Sequence, residues 1–494
     1  MTKLTDDIIE RQPKVLAVGA GSFLVTLAAA LFDSGMTEVH VTDTESESTK
    51  DWREKVRPFD WILYVSRQKI LEEIKVIHAA CRAEKKSLLT AICIGQIGLA
   101  GPSVNPDSEG CWESAWRRIH QSAILNDPIT PIFSHAAGLM LANIIVFDMC
   151  RSITRVAESE LMNRFLLLDL HTLEGSYHSF LPHPLITEGI TTERIHNWDQ
   201  LLGRGRSGNG DPYEFLSFVS LLTSPQSGIL HLWDEGNLNQ LPLSQCRVQA
   251  VDPLSEGPAD LLPVIIRAGL THLEARKEAG LAGIEDYVTR LSMYKKVMLS
   301  DFVEIGAGET VEEAVYRGLQ KCLTQQLRKR TAEREPAVSG VQISHIEDAR
   351  CLYYLQALTT MQGPPMIGFG EDLLGFPVVW VGAGDCWYGC VGLNRTLALR
   401  MTLQQALLKA QNRTEFITLQ GVEIPILIPE DDFETQPGIN SFEDMAQAEL
   451  LQNALTVLKR NQMSLIVYEM KAEPFLNEHL GGLFGVSLGK EGAR

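Results

Sequence analysis

Apolar positions in the first hundred residues switch between two periods. Lys14 to Val18 (KVLAV) is a short apolar run that stops at Gly19, as a buried parallel strand does. Ser22 to Phe32 reads as a helix closed by Asp33-Ser34-Gly35. Glu38 to Thr42 alternates as a second strand and ends at Asp43, and Asp60 to Val65 and Ser87 to Ile94 read as two more. Between them, Leu71, Ile74, Ile77 and Cys81 recur at helical spacing. Strand, helix, strand in alternation predicts an α/β fold built on a doubly wound, Rossmann-type parallel sheet. Further on, Ile97 to Gly110 reads as a Gly/Pro-rich loop, and Cys111 to Leu125 and Pro131 to Cys150 read as helices. The apolar stretch Ala136 to Met149 is too short for a membrane span of roughly 20 residues and contains Asn143 and Asp148.

The pattern changes after a polar, Gly-rich run, GRGRSGNGDPY, within Thr192 to Tyr213. That run divides the chain into an expected first domain, 1–210, and an α+β second domain, 211–494. The second half has scattered strands and three helices of similar build: Thr271 to Leu291, Thr310 to Leu327 and Thr396 to Arg413.

Charge narrows the function classes. The 494 residues carry a formal net charge of −18, spread over both halves. A nucleic-acid binder needs a basic face to displace counterions, so no nucleic-acid partner is expected, and docking on anionic lipid is equally disfavoured, so no membrane partner either. Nine scattered cysteines with no CxxC pair read as buried thiols in a reducing compartment, with no metal site. The opening MTKLTDDIIERQ is acidic and lacks an apolar core, so it is no secretory signal, and a cytoplasmic location is expected. Between Arg413 and Lys459 lie nine acids and no base; Pro429 to Ser441 reads as an exposed acidic loop, and Glu423 to Glu449 reads either as a stretch that docks a basic partner or as a simple solvated loop.

Candidate chemistry is sparse. Gly19-Ala20-Gly21 follows a strand and opens a helix, and Asp43 ends the next strand, where a carboxylate can meet a ribose hydroxyl. The third glycine of the nucleotide fingerprint is replaced by Leu24, so a tight turn with no ligand fits equally well. Trp112 and Trp116 share a helix face ahead of Arg117 and Arg118. They read as a recognition surface for a peptide or protein, or as a helix that packs its tryptophans. Cys111 has no base beside it, and His178 and His183 have no third ligand at metal spacing. Glu274, Glu278, Glu285, Asp286, Glu309, Glu312 and Glu313 lie on two of the three later helices, whereas the third offers Gln404, Gln405, Lys409 and Gln411. A magnesium–ATP site needs acids converging from separate elements. The local pattern, Glu274 and Glu278 around Arg276 and Lys277, reads instead as solvated faces with pairs along one helix.

The stretches KVLAVGAGSFLVTLAAALFDSG, DWILYVS, AICIGQIGLAGPSVNP and SEGCWESAWRRIH closely resemble the ocin-ThiF-like family of thiazole-containing bacteriocin maturation proteins. GLAGP through GCWESAWRRIH is the most specific part, and SQCRVQAVDPLSEGP and THLEARKEAGLAGIEDYVTRL extend the resemblance towards the whole chain. The resemblance implies a ThiF-like domain followed by a second domain that is faintly YcaO-like. It also implies a role in thiazole/oxazole-modified microcin biosynthesis: a docking protein that brings a precursor peptide to an ATP-using YcaO-type cyclodehydratase.

Departures from the family pattern point away from catalysis. ThiF-like adenylating enzymes have a full GxGxxG, an Asn-Arg pair after the second strand and a CxxC zinc pair. Here Leu24, TESESTKDW and the absence of CxxC replace them. In YcaO helices the pattern is roughly ALxEAxER. Here Lys321 and Thr324 stand at acidic positions of GLQKCLTQQL, and Lys409 stands at one in ALLKAQNR, where Gln411 and Arg413 persist. A lysine brings the wrong sign to a metal site, so the second domain reads as degenerate. Family members usually begin with a winged-helix leader-recognition module, which the twelve residues before Pro13 do not hold. The expected function is therefore a non-catalytic accessory protein with no catalytic residues and no cofactor. Gly19, Gly21 and Asp43 are expected as a vestigial nucleotide site, and Trp112, Trp116, Arg117 and Arg118 as the partner surface. An ATP-dependent adenylating enzyme and a nicotinamide oxidoreductase remain alternatives, and a homodimer is left open.

Overall fold

The computed structural model describes residues 12–44, 51–67, 71–106, 108, 110–124, 134–154, 158–187, 190–202, 212–294, 303–412, 420–425, 434–436, 438–442 and 447–490. The chain divides into two compact units. The first comprises Met1–Gly189, Ser224–His231 and Val251–Leu261; the second comprises Ile190–Thr223, Leu232–Ala250 and Leu262–Arg494. In the acidic segment between Arg413 and Lys459, residues 414–419, 426–433, 437 and 443–446 lie outside the described residues, as does much of the polar run ending at Tyr213.

The first unit runs β1 (Val15–Gly19), α1 (Gly21–Asp33), β2 (Val39–Asp43), α2 (Trp52–Val56), β3 (Trp61–Ser66), α3 (Leu71–Ala83), β4 (Ser87–Ile94), β5 (Ile97–Ala100), α4 (Trp112–Arg118), α5 (Gln121–Ile124), α6 (His135–Thr154), β6 (Arg164–Asp169) and β7 (Gly175–Ser179). The strands form one sheet in the order β2-β1-β3-β4-β5-β6-β7. The four strands β2, β1, β3 and β4 are parallel. Alternate residues of β1 point to opposite faces. Leu16 and Val18 join a core with Ile74, Ile77 and Trp112, whereas Val15 and Ala17 join one with Phe23, Leu27 and Leu141. Helices therefore cover both faces of the parallel half.

The other half departs from the expected all-parallel sheet. Strands β5, β6 and β7 are antiparallel additions, and β5 occupies the start of what reads in sequence as a loop. Gly95, at φ +59°, makes the two-residue reversal between paired Ile94 and Ile97. The helix expected over Cys111 to Leu125 is also broken. It stops at Arg118 because Ile119 is extended, and the Ala259 amide donates to the Ile119 carbonyl at 2.7 Å. Helix α6, at 20 residues, is longer than the apolar stretch implied, and it is long and apolar enough to cross a membrane by length and composition. One face, Ala137, Leu141, Ile145 and Met149, is buried against α1 and the sheet.

The second unit contains β8 (Thr191–Ile195), α7 (Pro212–Leu222), β9 (Leu230–Asp234, where the chain passes from one unit to the other), β10 (Ser244–Ala250), β11 (Ile265–Gly269), α8 (His272–Ser292), β12 (Glu304–Gly308), α9 (Val311–Glu333), β13 (Val338–Ile343), α10 (Ala349–Gln362), β14 (Met366–Leu373), β15 (Phe376–Ala383), β16 (Cys386–Val391), α11 (Arg395–Gln411), β17 (Val422–Ile424), β18 (Glu434–Gln436), α12 (Gln447–Arg460), β19 (Met463–Lys471), α13 (Pro474–His479) and β20 (Gly482–Lys490). Three sheets result, in the orders β11-β10-β9, β12-β20-β19-β8 and β17-β16-β15-β14-β13-β18. Helix α8 packs on β10 and β11 and also on β12, α9 packs on β12 and β20, and α11 packs on β15. The three similar helices share their start chemistry. Thr271, Thr310 and Asn394 accept from the backbone N–H groups of Glu274, Glu313 and Leu397. Glu274 and Glu313 reach back to accept from the Leu270 and Glu309 amides, one residue ahead of each cap, in a variant of the capping box.

Buried histidines give the first unit an acid-sensitive stability. His120 is fully buried; its Nε2–H donates to the Gly228 carbonyl at 2.8 Å, which leaves Nδ1 to accept from His231 Nδ1 at 3.0 Å. Burial lowers His120 to about 4 and, helped by Arg82, lowers His78 to about 4. Burial, with Arg118 and Arg117 nearby, lowers His183 to about 2. Each folded value lies below the unfolded one, near 6.5. Stability is thus complete above about pH 6.5 and falls as the pH drops towards 4, by on the order of 1.4 kcal/mol per pH unit and histidine. Urea midpoints followed by tryptophan fluorescence should drop between pH 7 and pH 5; equal midpoints would contradict the assignment.

Candidate functional site

Two regions carry the residues singled out in the sequence, one in each unit. In the first unit, the C-terminal ends of β1 and β2 bring Gly19 and Asp43 side by side as register partners, and Gly21 is the first residue of α1. A Cβ on Gly19 would lie 2.4 Å from the Val65 carbonyl oxygen, so the close approach of β1 and β3 requires glycine there. The N-cap of α1 is Ala20, which supplies no side-chain hydrogen bond, and Gly21 and Ser22 are exposed. The helix N-terminus is thus open at the crevice beyond the strand ends, where ligands of doubly wound folds bind. Leu24, in place of the third fingerprint glycine, is buried against the sheet.

The expected partner surface needs correction. Trp112 and Trp116 are each 1% exposed, and they stack with centroids 5.8 Å apart and rings inclined by 5°. They belong to the core with Tyr64, Leu88 and Phe165. Gly257 abuts the Trp116 indole so closely that a Cβ there would lie 2.6 Å from it. Arg118 is equally buried, and its Nε and Nη2 donate to the carbonyls of Leu181 and Pro182 at 3.1 and 2.9 Å. Arg117 donates to the Ser255 carbonyl at 2.9 Å and pairs with Glu113. All four side chains hold the unit's own segments together. Spacing of four showed a shared helix face but not which way it pointed. Cys111 serves as the N-cap of α4, its sulfur accepting from the Ser114 amide.

In the second unit, α8, α9 and α11 and strand β11 enclose a cavity of about 430 Å³. The acids of α8 and α9 are not solvated faces paired along one helix, as the sequence implied. Glu285, 1% exposed, accepts from Arg317 Nε at 2.6 Å, Arg317 Nη2 at 3.0 Å, Lys321 Nζ at 2.9 Å and the Ala307 amide at 3.1 Å. Arg317 Nη1 also donates to Glu278 at 2.6 Å. Glu274 pairs with Arg350, and Lys277 with Glu309 and Glu313. Burial alone would push Glu285 up, but Arg317 and Lys321 more than offset it and hold the carboxyl down at about 2. Burial likewise opposes the Arg317 charge, yet Glu278 and Glu285 raise it well above the usual range. Lys409 turns to Glu423 at 3.1 Å, and Thr324 donates to the Gln320 carbonyl. Gln411 is structural, bonding the Leu243 amide and carbonyl and the Asn239 carbonyl.

No family model and no curated protein matches the chain. Among solved structures, a heterocyclase in complex with substrate and cofactor is similar over 97% of this chain and 80% of its own, with a TM-score of 0.60 and 11% identity. The structure of the heterocyclase TruD is similar over 98% of this chain and 80% of its own, with a TM-score of 0.53 and 14% identity. The chain therefore has a mixed α/β fold shared with these heterocyclases over nearly its full length.

Glu278 and Glu285 are not free to hold a magnesium–nucleotide cofactor in the second unit's cavity. Such a site needs carboxylates whose charge is left for the metal, and here Glu278 and Glu285 are already neutralised by Arg317 and Lys321.

Replacing Trp116 by alanine should cost about 3–5 kcal/mol, the range for removing a buried tryptophan. Denaturant unfolding measures the loss. An unchanged midpoint with a weakened partner complex would restore Trp116 as a surface residue.

Proposed function

We propose that this chain is a non-catalytic accessory protein in the maturation of a ribosomally made, thiazole/oxazole-modified peptide. In this reading it brings the precursor peptide to a YcaO-type cyclodehydratase in the cytoplasm. The first unit is ThiF-like with a vestigial nucleotide crevice at Gly19, Gly21 and Asp43, and the second is a degenerate YcaO-like unit. The observation that carries the proposal is the pairing of a heterocyclase fold over nearly the whole chain with a cavity in which Glu278 and Glu285 are taken up by Arg317 and Lys321. A fold kept while its metal-binding charge is cancelled fits a scaffold better than a catalyst.

A second reading rests on the uncapped N-terminus of α1 beside Gly19 and Asp43. A nucleotide held there would serve carboxylate adenylation, and pyrophosphate exchange dependent on a carboxylate substrate would establish it.

Reconstitution tests the first reading. Ring formation, read as loss of one water per azoline by mass spectrometry, is followed with cyclodehydratase, precursor and ATP, with and without this chain. Docking raises the effective concentration of the precursor, so omission at dilute precursor should slow the reaction by about tenfold or more. Unchanged rates without the chain, or rings formed by this chain with no cyclodehydratase, would reject it.

A further inference from the structure

The charges around the second unit's cavity are not all used. Glu285 and Glu278 share Arg317, and Lys321 completes the Glu285 set. Arg267, on β11, lines the same cavity, and among the described residues no carboxylate lies within ion-pair distance of it. Its Nη1 donates to the Ile266 carbonyl at 3.0 Å, and its Nε is buried with no acceptor. Burial, with Arg317 adding repulsion, pushes the Arg267 guanidinium down to about 10, while the acids Glu285, Glu278 and Asp286 offset part of that. A half-buried cation with no carboxylate in ion-pair contact is partly desolvated, and an anion entering the cavity relieves that cost.

The other cavity walls say which anion. Gln404 uses its Nε2 on the Ala268 carbonyl at 2.9 Å, and Gln405 uses its Oε1 on the Gln420 amide at 2.9 Å. Gln404 therefore keeps a carbonyl acceptor and Gln405 an amide donor, the complement of one peptide group. Gln320 Oε1 is likewise buried without a donor. Beyond the paired Glu274, Glu278 and Glu285, the acids Asp286 and Glu304 also line the cavity and oppose a multiply charged phosphate chain. One negative charge beside Arg267 does not. At about 430 Å³ the cavity falls within the range of roughly 300–1,000 Å³ common for small-molecule sites.

We propose that this cavity binds, without a metal, a small organic carboxylate joined to a peptide group: an N-acylated amino acid or the carboxyl end of a short peptide. The carboxylate lies on Arg267, and the adjoining amide lies between Gln404 and Gln405. The proposal rests on the cavity alone and does not depend on the maturation role.

Calorimetric titration of the full chain with N-acetylglycylglycine and with its C-terminal amide, both in metal-free buffer, tests it. The acid should bind, and the amide should bind about tenfold or more weakly, as loss of a charge-assisted hydrogen bond entails. Arg267→Met should reduce the acid to the level of the amide, with circular dichroism unchanged. Arg334→Met, at an exposed arginine paired with Glu371, serves as the control and should bind as the parent does. Equal binding of acid and amide, no binding of either, or full acid binding by Arg267→Met would overturn the proposal. The comparison of acid with amide needs no variant, so it decides the matter even if Arg267→Met does not fold.

Discussion

The Glu285 carboxylate is the constraint around which the second unit is arranged. A carboxylate with 1% of its surface exposed costs several kcal/mol unless its charge and lone pairs are met. Four donors meet them, from α9 and from the backbone of β12. That requires α9 to approach β12 closely. Gly306 permits it, since a Cβ there would collide with the Ala314 carbonyl and lie 2.6 Å from the Gly318 amide. The same approach places Lys321 Nζ 2.8 Å from the Ile305 carbonyl. Removing one partner of such a cluster typically costs about 3–5 kcal/mol, because the remaining charge stays buried.

This interaction also decides what the cavity can hold. Arg317 and Lys321 sit where a divalent cation would need free carboxylate oxygens. Stability and chemistry draw on the same acids here, and stability has taken them. Arg267 stands outside the arrangement, since Glu278 and Glu285 are committed to Arg317 and Lys321. Among the described residues no carboxylate lies within ion-pair distance of it, and in the proposed reading it gives the site a preference for one negative charge rather than for a metal-bound polyphosphate.

Local features of the fold were legible from sequence, and long-range pairings were not. KVLAVG followed by a helix, and EVHVTD after it, carry their periodicity within a dozen residues, so β1, α1 and β2 were read in place with Gly19 and Asp43 at their ends. The antiparallel strand Ile97–Ala100 was missed because Gly95, Gly98 and Gly101 make that segment look like a loop. Trp112 and Trp116 share a helix face whether they are buried or exposed, so spacing could not choose between core and partner surface. Glu285 and Arg317 are 32 residues apart, and nothing local marks them as partners. One signal was available: Lys321 at an expected acidic position was a sign change, and a buried acid nearby was its natural complement.

The neutralised state of the Glu285 cluster sets what the second unit's cavity can bind. Isothermal titration of the full chain with ATP and excess magnesium, comparing the parent with Glu285→Gln, tests it most directly. No saturable magnesium-dependent heat assignable to the second unit's cavity is expected in either protein. Saturable, magnesium-dependent ATP binding by the parent that is lost in Glu285→Gln would contradict it, because the carboxylate would then be ligating a metal rather than pairing with Arg317 and Lys321.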